Sequence, residues 1–367
     1  QMAGQVQEFE PTNYMDRRDA RRMDRFCQFA IAATKQAFVD AKLDLDQEDR
    51  RRIGVVVGTG IGGLETLEDQ ILVVHQRGPD RASPFFIPMI ITNMAAGQIS
   101  IMFGLKGPSL TAVSACASST DALGHALRMI QHGDAEVVVA GGTEAPITAS
   151  ALAGFGSMRA LSTRNQDPKQ ASRPFDQERD GFVVGEGAGM LILEELQHAR
   201  ERQAKIYGEL IGYGATLDAY HIAAPAPKGE GAARAMEAAL KDAAVKAEQI
   251  DYINAHGTST VYNDFCETIA IKHVFGPRAY DIPISSTKSM VGHLLGAAGA
   301  VEFIACLWAI SENMLPATIN YQTPDPKCDL DYVPNNPRPA NIDTALSNSF
   351  GFGGHNAVLV VKRYAPS

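Results

Sequence analysis

The chain has 367 residues, 45% of them hydrophobic and 20% charged, enough apolar material for one large core or two fused halves. Its formal net charge of −9 comes without a basic block, which argues against a nucleic-acid partner. No apolar run approaches the roughly 20 residues that cross a bilayer, which argues against a membrane partner.

Five scattered cysteines, Cys27, Cys116, Cys266, Cys306 and Cys328, form neither a CxxC pair nor a regular framework, so free thiols in a reducing, cytoplasmic setting are expected. Small basic patches at Arg17-Arg18, Arg21-Arg22 and Arg50-Arg51-Arg52 suit either an acidic partner or, more plainly, solvated helix faces.

In chain order the pattern predicts a helix over 23–41 and a strand "RIGVVVGTG" (52–60). The strand "SLTAVSAC" (109–116) then runs into a helix over 117–133, and the strands "AEVVVAGGTEA" (135–145) and "GAGMLILEEL" (187–196) follow. The polar segment "PKQASRPFDQERDGFVVGEGAG" (168–189) between these last two reads as a long surface excursion. The second half gives a strand over 205–215, a helix over 231–247 and the strand "DYINAHGTS" (251–259). A helix over 264–275, the strand "IPISSTKS" (282–289) and a Gly/Ala helix over 296–313 come next, and strands over 344–354 and 355–364 close the chain. Such alternation argues for α/β layering. The two series match if the first half lacks an opening strand equivalent to 205–215. A duplicated unit therefore predicts halves at 1–203 and 204–367, and a natural protein that begins upstream of Gln1.

"VVVGTGIGGLE" (55–65) has the Gly-x-Gly-x-x-Gly outline of a dinucleotide turn. No strand ending in an acidic residue follows about 20 positions on, because "QILVVHQRGPD" continues a helical pattern, so the nucleotide reading is weak. Cys116 is more informative. It falls where an apolar strand meets a helix start, where the dipole and free N–H groups stabilise a thiolate. That is a nucleophile's place, although a buried structural cysteine looks the same in sequence. His256 in "HGTST" and His293 in "STKSMVGHLLGAAGA" also follow strands, and strand ends of α/β folds gather at one crevice. No HxH, HxxxH or CxxC spacing and no acidic cluster accompanies them, so no metal site is expected. The turn "SNSFGFGGHN" offers backbone N–H groups for an oxyanion, with the N–H of Cys116 as the second donor, or is simply a tight turn.

Together, "SACASS" (114–119), "NAHGTST" (254–260), "SSTKSMVGHLLGAAGAVE" (285–302) and "NSFGFGGHN" (348–356) resemble the four signatures of the β-ketoacyl-[acyl-carrier-protein] synthases of the elongating type, closest to synthase II. The likeness runs through "DQERDGFVVGEGAG" and "CDLDYVPN" and so spans nearly the whole chain. It implies a thiolase-like α/β fold, two similar βαβ-type halves packed as a five-layer αβαβα sandwich. It implies fatty-acid elongation by decarboxylative Claisen condensation. Cys116 would carry the acyl group, His256 and His293 would assist malonyl decarboxylation, and Lys288 and Glu302 would organise the site. The N–H groups of Cys116 and Phe352 would hold the oxyanion. Ile61, Phe86, Phe155, Phe350 and Phe352 would line the acyl pocket, and Thr258 and Thr260 would bind the phosphopantetheine arm.

No cofactor is implied, since phosphopantetheine arrives on the acyl carrier protein that brings the acyl and malonyl groups. A homodimer is implied by the family. Val261-Tyr262 follows "HGTST" where the family usually has Pro and a small or aliphatic residue, so the resemblance does not fix the shape of the carrier-arm entrance. The rivals are a polyketide-type ketosynthase, a thiolase and a non-catalytic chain-length partner. The last lacks the nucleophile kept here, and a thiolase needs a second cysteine that "SFGFGGHN" lacks.

Overall fold

A computed structural model describes residues 2–366 of the chain. Strands β1 (Ile53–Gly58), β2 (Ser109–Ala112), β3 (Val137–Glu144) and β4 (Gly187–Glu194) form one sheet in the order β2-β1-β3-β4. β1 runs parallel to β2 and β3, and β4 runs antiparallel to β3. A second sheet uses β5 (Glu209–Leu217), β6 (Tyr252–Asn254) and β7 (Ile284–Ser285). A short two-stranded ladder, β8 (Met314–Leu315) with β9 (Arg338–Pro339), precedes its last members, β10 (Thr344–Gly351) and β11 (His355–Lys362). The order is β5-β11-β10-β6-β7. Read as β7-β6-β10-β11, it repeats the pairing of β2-β1-β3-β4: parallel, parallel, antiparallel. Among the described residues the first sheet has no counterpart of β5.

The central strands are apolar on both faces because both are covered. Val55, Val57, Val137 and Val139 point outward against the helices Arg25–Ala41 and Met94–Phe103. Val56, Val138 and Ala140, one residue out of phase, point inward against the helices Ser118–Gln131 and Ala298–Glu312. Leu359 and Val361 of β11 close that inner layer from the other sheet, whose outer face carries the helices Glu230–Asp242 and Val261–Phe275. The result is five layers, α-β-α-β-α. The segment Leu295–Glu312 is long and apolar enough to cross a membrane by length and composition, but 61% of it is buried between the two sheets.

Several expectations need correction. The strand expected over 109–116 stops at Ala112, because Ala115 adopts φ 52° and a 3-10 turn over Ala115–Ala117 leads into the helix. The strand expected over 282–289 shrinks to two residues, since a short helix, Lys288–Val291, takes over.

The segment 168–189 is no surface excursion: Ala171, Arg173, Phe175, Asp176, Arg179 and Phe182 are all buried. Its charges find partners far away in sequence. Arg179 donates to Asp325 at 2.7 Å and lies 3.7 Å from Asp264, while Asp176 accepts from the N–H groups of Gln322 and Thr323. Phe175 stacks on Tyr332 at 3.9 Å. The polar strap therefore welds the first sheet's excursion to the second half. Replacing Arg179 by Leu strands the buried Asp264 and unpairs the partly exposed Asp325, so we expect denaturant unfolding to show a loss of about 3 kcal/mol. A loss below about 0.5 kcal/mol contradicts that role.

Candidate active site

Cys116 stands in the 3-10 turn that opens the helix Ser118–Gln131. The glycine turn after β10 comes down on it. A Cβ on Gly351 would lie 2.7 Å from Ser114 O and 3.0 Å from Cys116 N, so only glycine lets the two backbones meet. That approach brings the Phe352 N–H onto the Cys116 sulfur as a donor. His293 Nε2 lies 3.0 Å from the same sulfur. His293 is fixed by the strap, through His293 N to Val183 O at 2.7 Å and Gly185 N to His293 O at 2.9 Å. His256 stands two residues past β6, edge to face with His293 at 5.3 Å between ring centroids. Glu267 accepts from the N–H groups of His256 and Gly257, both at 2.8 Å, and so holds that turn in place.

Behind the imidazoles, Lys288 is buried in an ion pair with Glu302, and its Nζ is 3.3 Å from His256 Nδ1. Burial, followed by the Lys288 ammonium, holds both imidazoles well below their ordinary range, so both rings are neutral near pH 7. Burial likewise pushes the Cys116 thiol up to about 12; Lys288 and the Phe352 N–H oppose that rise, and Glu144 and Glu302 add to it. The helix start therefore does not deliver the acidified thiol that its dipole suggests. What the site holds at rest is a protonated thiol hydrogen-bonded to a neutral imidazole.

A cluster of apolar side chains surrounds the sulfur. Leu161, Phe182, Val184 and Leu295 cluster with Cys116, and Ile61, Leu152 and Phe155 pack against them. Phe352 reaches Phe155 at 6.4 Å, and Phe350 meets the His256 ring at 5.8 Å. Thr258 and Thr260 lie beside the histidine with their hydroxyls 2.9 Å apart. Phe86 does not join this cluster. It opens the helix Phe86–Ile90, half-buried beside exposed Phe85, Ile87 and Ile91. Sequence reading missed Phe182, which packs on Phe155 and His293 at 5.4 Å each. The only signal for it was its place in a segment that looked like solvent-facing loop.

The ligand atoms of Cys116, His256 and His293 lie within 4.8 Å of one another, close enough for a metal ion. The Lys288 ammonium beside His256 opposes a cation there. Asn254 Oδ1, Glu302 Oε2 and Asn348 Oδ1 are buried without hydrogen-bond partners among the described residues. A nucleotide finds no cradle in the Gly58–Gly63 turn, because the N–H groups of Gly60 and Ile61 already donate to Glu144.

Residues 2–199 match the family model of the β-ketoacyl synthase N-terminal domain, and residues 207–322 match that of its C-terminal domain. The chain is 56% identical to a 3-oxoacyl-[acyl-carrier-protein] synthase 2 of Synechocystis sp. over 98% of its length and 87% of that protein's. It is 52% identical to the protein of the same description from Staphylococcus aureus, over 99% of its length and 87% of that protein's. Among solved structures, a β-ketoacyl synthase from Burkholderia phymatum superposes with a TM-score of 0.93 at 36% identity, covering 99% of this chain and 88% of that one. A type II PKS ketosynthase solved in complex with its acyl carrier protein gives 0.91 at 38%, with the same coverage.

The charges around the sulfur make a separate prediction. Replacing Lys288 by Met removes a cation that favours the thiolate, so alkylation of Cys116 by iodoacetamide at pH 8 should slow several-fold by mass spectrometry. An unchanged rate means the ammonium does not act on the sulfur.

Proposed function

The chain belongs to the β-ketoacyl synthase family, and on that premise we propose how its site carries out fatty-acid elongation, the decarboxylative condensation of an acyl thioester with malonyl-acyl-carrier protein. The observation that carries the reading is the buried sulfur at 3.0 Å from His293 Nε2, with the Phe352 N–H acting on the same sulfur.

The acyl thioester enters along the carrier's phosphopantetheine arm, past the hydroxyls of Thr258 and Thr260. Cys116 attacks its carbonyl, the thiol proton passes to His293, and the departing pantetheine thiolate takes it up. The acyl chain lies in the chamber of Ile61, Phe155, Phe182 and Leu295, where Phe352 can gate its entry. Malonyl-carrier protein follows. His256 and His293, neutral because they are buried, donate to the malonyl thioester oxygen, so the electrons released with CO2 are held as an enolate. The enolate carbon attacks the acyl carbonyl on Cys116, and the N–H groups of Phe352 and Cys116 hold the tetrahedral oxyanion. Its collapse expels the cysteine, which regains a proton, and releases 3-oxoacyl-carrier protein two carbons longer. Lys288 and Glu302 keep His256 oriented and uncharged. No bound cofactor enters these steps.

In this reading the carrier protein meets the exposed basic patch of Arg17, Arg18 and Arg21, which suits an acidic partner on a chain that is otherwise negative. We assign the halves to 1–203 and 204–367 on the repeat of the sheet pairing. A second copy of the chain covers the free edge of β2 and the exposed Ile87, Ile91, Ile101 and Val113, with Phe86 at its border. The five unpaired cysteines support a cytoplasmic setting.

Changing Cys116 to Ala should abolish acyl transfer, and changing it to Gln should leave malonyl decarboxylation without condensation. Condensation by either variant overturns the nucleophile assignment. Replacing Ile61 by Phe should shorten the longest acyl chain accepted, measured with acyl-carrier proteins of graded length. An unaltered length profile removes Ile61 from the chamber wall.

A further inference from the structure

The glycine-rich turn after β1 is closed by a side chain from another strand. Glu144 ends β3 and is fully buried. Its Oε1 accepts from the Thr59 hydroxyl at 2.9 Å and the Ile61 N–H at 3.1 Å. Its Oε2 accepts from the Gly60 N–H at 2.6 Å and the Gly296 N–H at 2.9 Å. Three of these donors belong to the turn that presents Ile61 to the chamber. The fourth belongs to the 3-10 turn Leu295–Ala297, which presents Leu295 to it. One carboxylate thus fastens two walls of the chamber together. The fit is close, since a Cβ on Gly296 would lie 2.2 Å from Gly60 N and 2.5 Å from Glu144 Oε2.

The donor pattern calls for an ionised carboxylate. Each oxygen faces two donors and no acceptor, so the anion satisfies all four. Glutamine has the same shape but fails in either orientation, because its NH2 would point at two donors. None of the condensation steps above uses Glu144, and yet its charge reaches the Cys116 sulfur. There it acts with Glu302 against a thiolate, while Lys288 and the Phe352 N–H act for one, and His293 Nε2 lies 3.0 Å from the sulfur.

We propose that Glu144 is a positioning residue for acyl transfer, which clamps the Thr59–Ile61 turn to Gly296 and so fixes the chamber walls at Ile61 and Leu295. The proposal rests on the acyltransferase reading. Its consequences fall on the acyl half-reaction: the chamber loosens when the clamp is broken, and long chains suffer more than short ones because they depend on more of the wall.

The test compares E144Q with the full wild-type chain in two measurements. Acylation of Cys116 by short- and long-chain acyl-carrier proteins, followed by intact mass, should show a KM for the long chain raised about tenfold, with a smaller rise for the short chain and less effect on kcat. Alkylation of Cys116 by iodoacetamide across pH needs no carrier protein. Its profile should move to lower pH, because a negative charge near the sulfur is gone. A residue that only supported the fold would not move it.

Unchanged KM values at every chain length, together with an unmoved alkylation profile, overturn the proposal. T59V removes a single donor and should give the same long-chain bias at about threefold. If E144Q does not fold, T59V decides alone, and unaltered KM values in it overturn the clamp. Should wild-type protein take no acyl group at all, the acyltransferase reading falls. Normal wild-type acylation with E144Q indistinguishable from it sinks the clamp only.

Discussion

Two helices start side by side in the middle of the molecule, at Ser118 and at Ala298, and the backbone of the second packs on side chains of the first. A Cβ on Gly299 would lie 1.9 Å from the Thr120 hydroxyl, and the Ala300 N–H donates to Ser119 Oγ at 2.9 Å. Thr120 in turn bonds Ser349 at 2.7 Å and ties β10 to the pair. Each helix is entered through the same device, a 3-10 turn whose first residue has positive φ: Ala115 at 52° and Leu295 at 48°. The first turn carries Cys116, and the loop before the second carries His293. Close-packed helices cannot slide without opening voids, so the distance between sulfur and imidazole is set by the contact of the two halves.

That contact also decides the protonation states. Burial disfavours charge on every group it encloses, and here it leaves a thiol and two imidazoles neutral around one buried ion pair, Lys288–Glu302. A neutral imidazole has one N–H to donate to a developing enolate and one free nitrogen to take up the thiol proton. The resting thiol stays protonated until an acyl thioester is placed against it, which limits its reaction with other electrophiles. The polar strap over 168–189 and the carboxylates of Glu267 and Glu144 hold the backbone around these groups. Each accepts N–H groups that would otherwise be buried without partners.

Much of this was legible in the sequence. The alternation of elements, the duplicated order of strands and the placing of Cys116, His256 and His293 near strand ends all follow from local pattern, and local pattern is what a sequence carries. The misreadings share one cause. The strap looked like exposed loop because Arg179 and Asp176 are charged, and their partners Asp264, Asp325, Gln322 and Thr323 lie some 80 or more positions away. Cys116 looked acidified because a helix start is visible in sequence and the depth of burial is not. Phe86 looked like chamber wall by resemblance, but in its own chain it stands among exposed apolar residues. Glu144 gave no signal, since an acid at a strand end looks like any solvated cap.

The most direct test of the account is a two-step mass measurement on the wild-type protein. Incubation with a long-chain acyl-carrier protein should add one acyl group, mapped to the peptide that holds Cys116. Addition of malonyl-carrier protein should then transfer that group into 3-oxoacyl-carrier protein, with release of an equal amount of CO2 from the malonyl unit. An acyl group on any other residue, or one on Cys116 that malonyl-carrier protein leaves in place, contradicts the account.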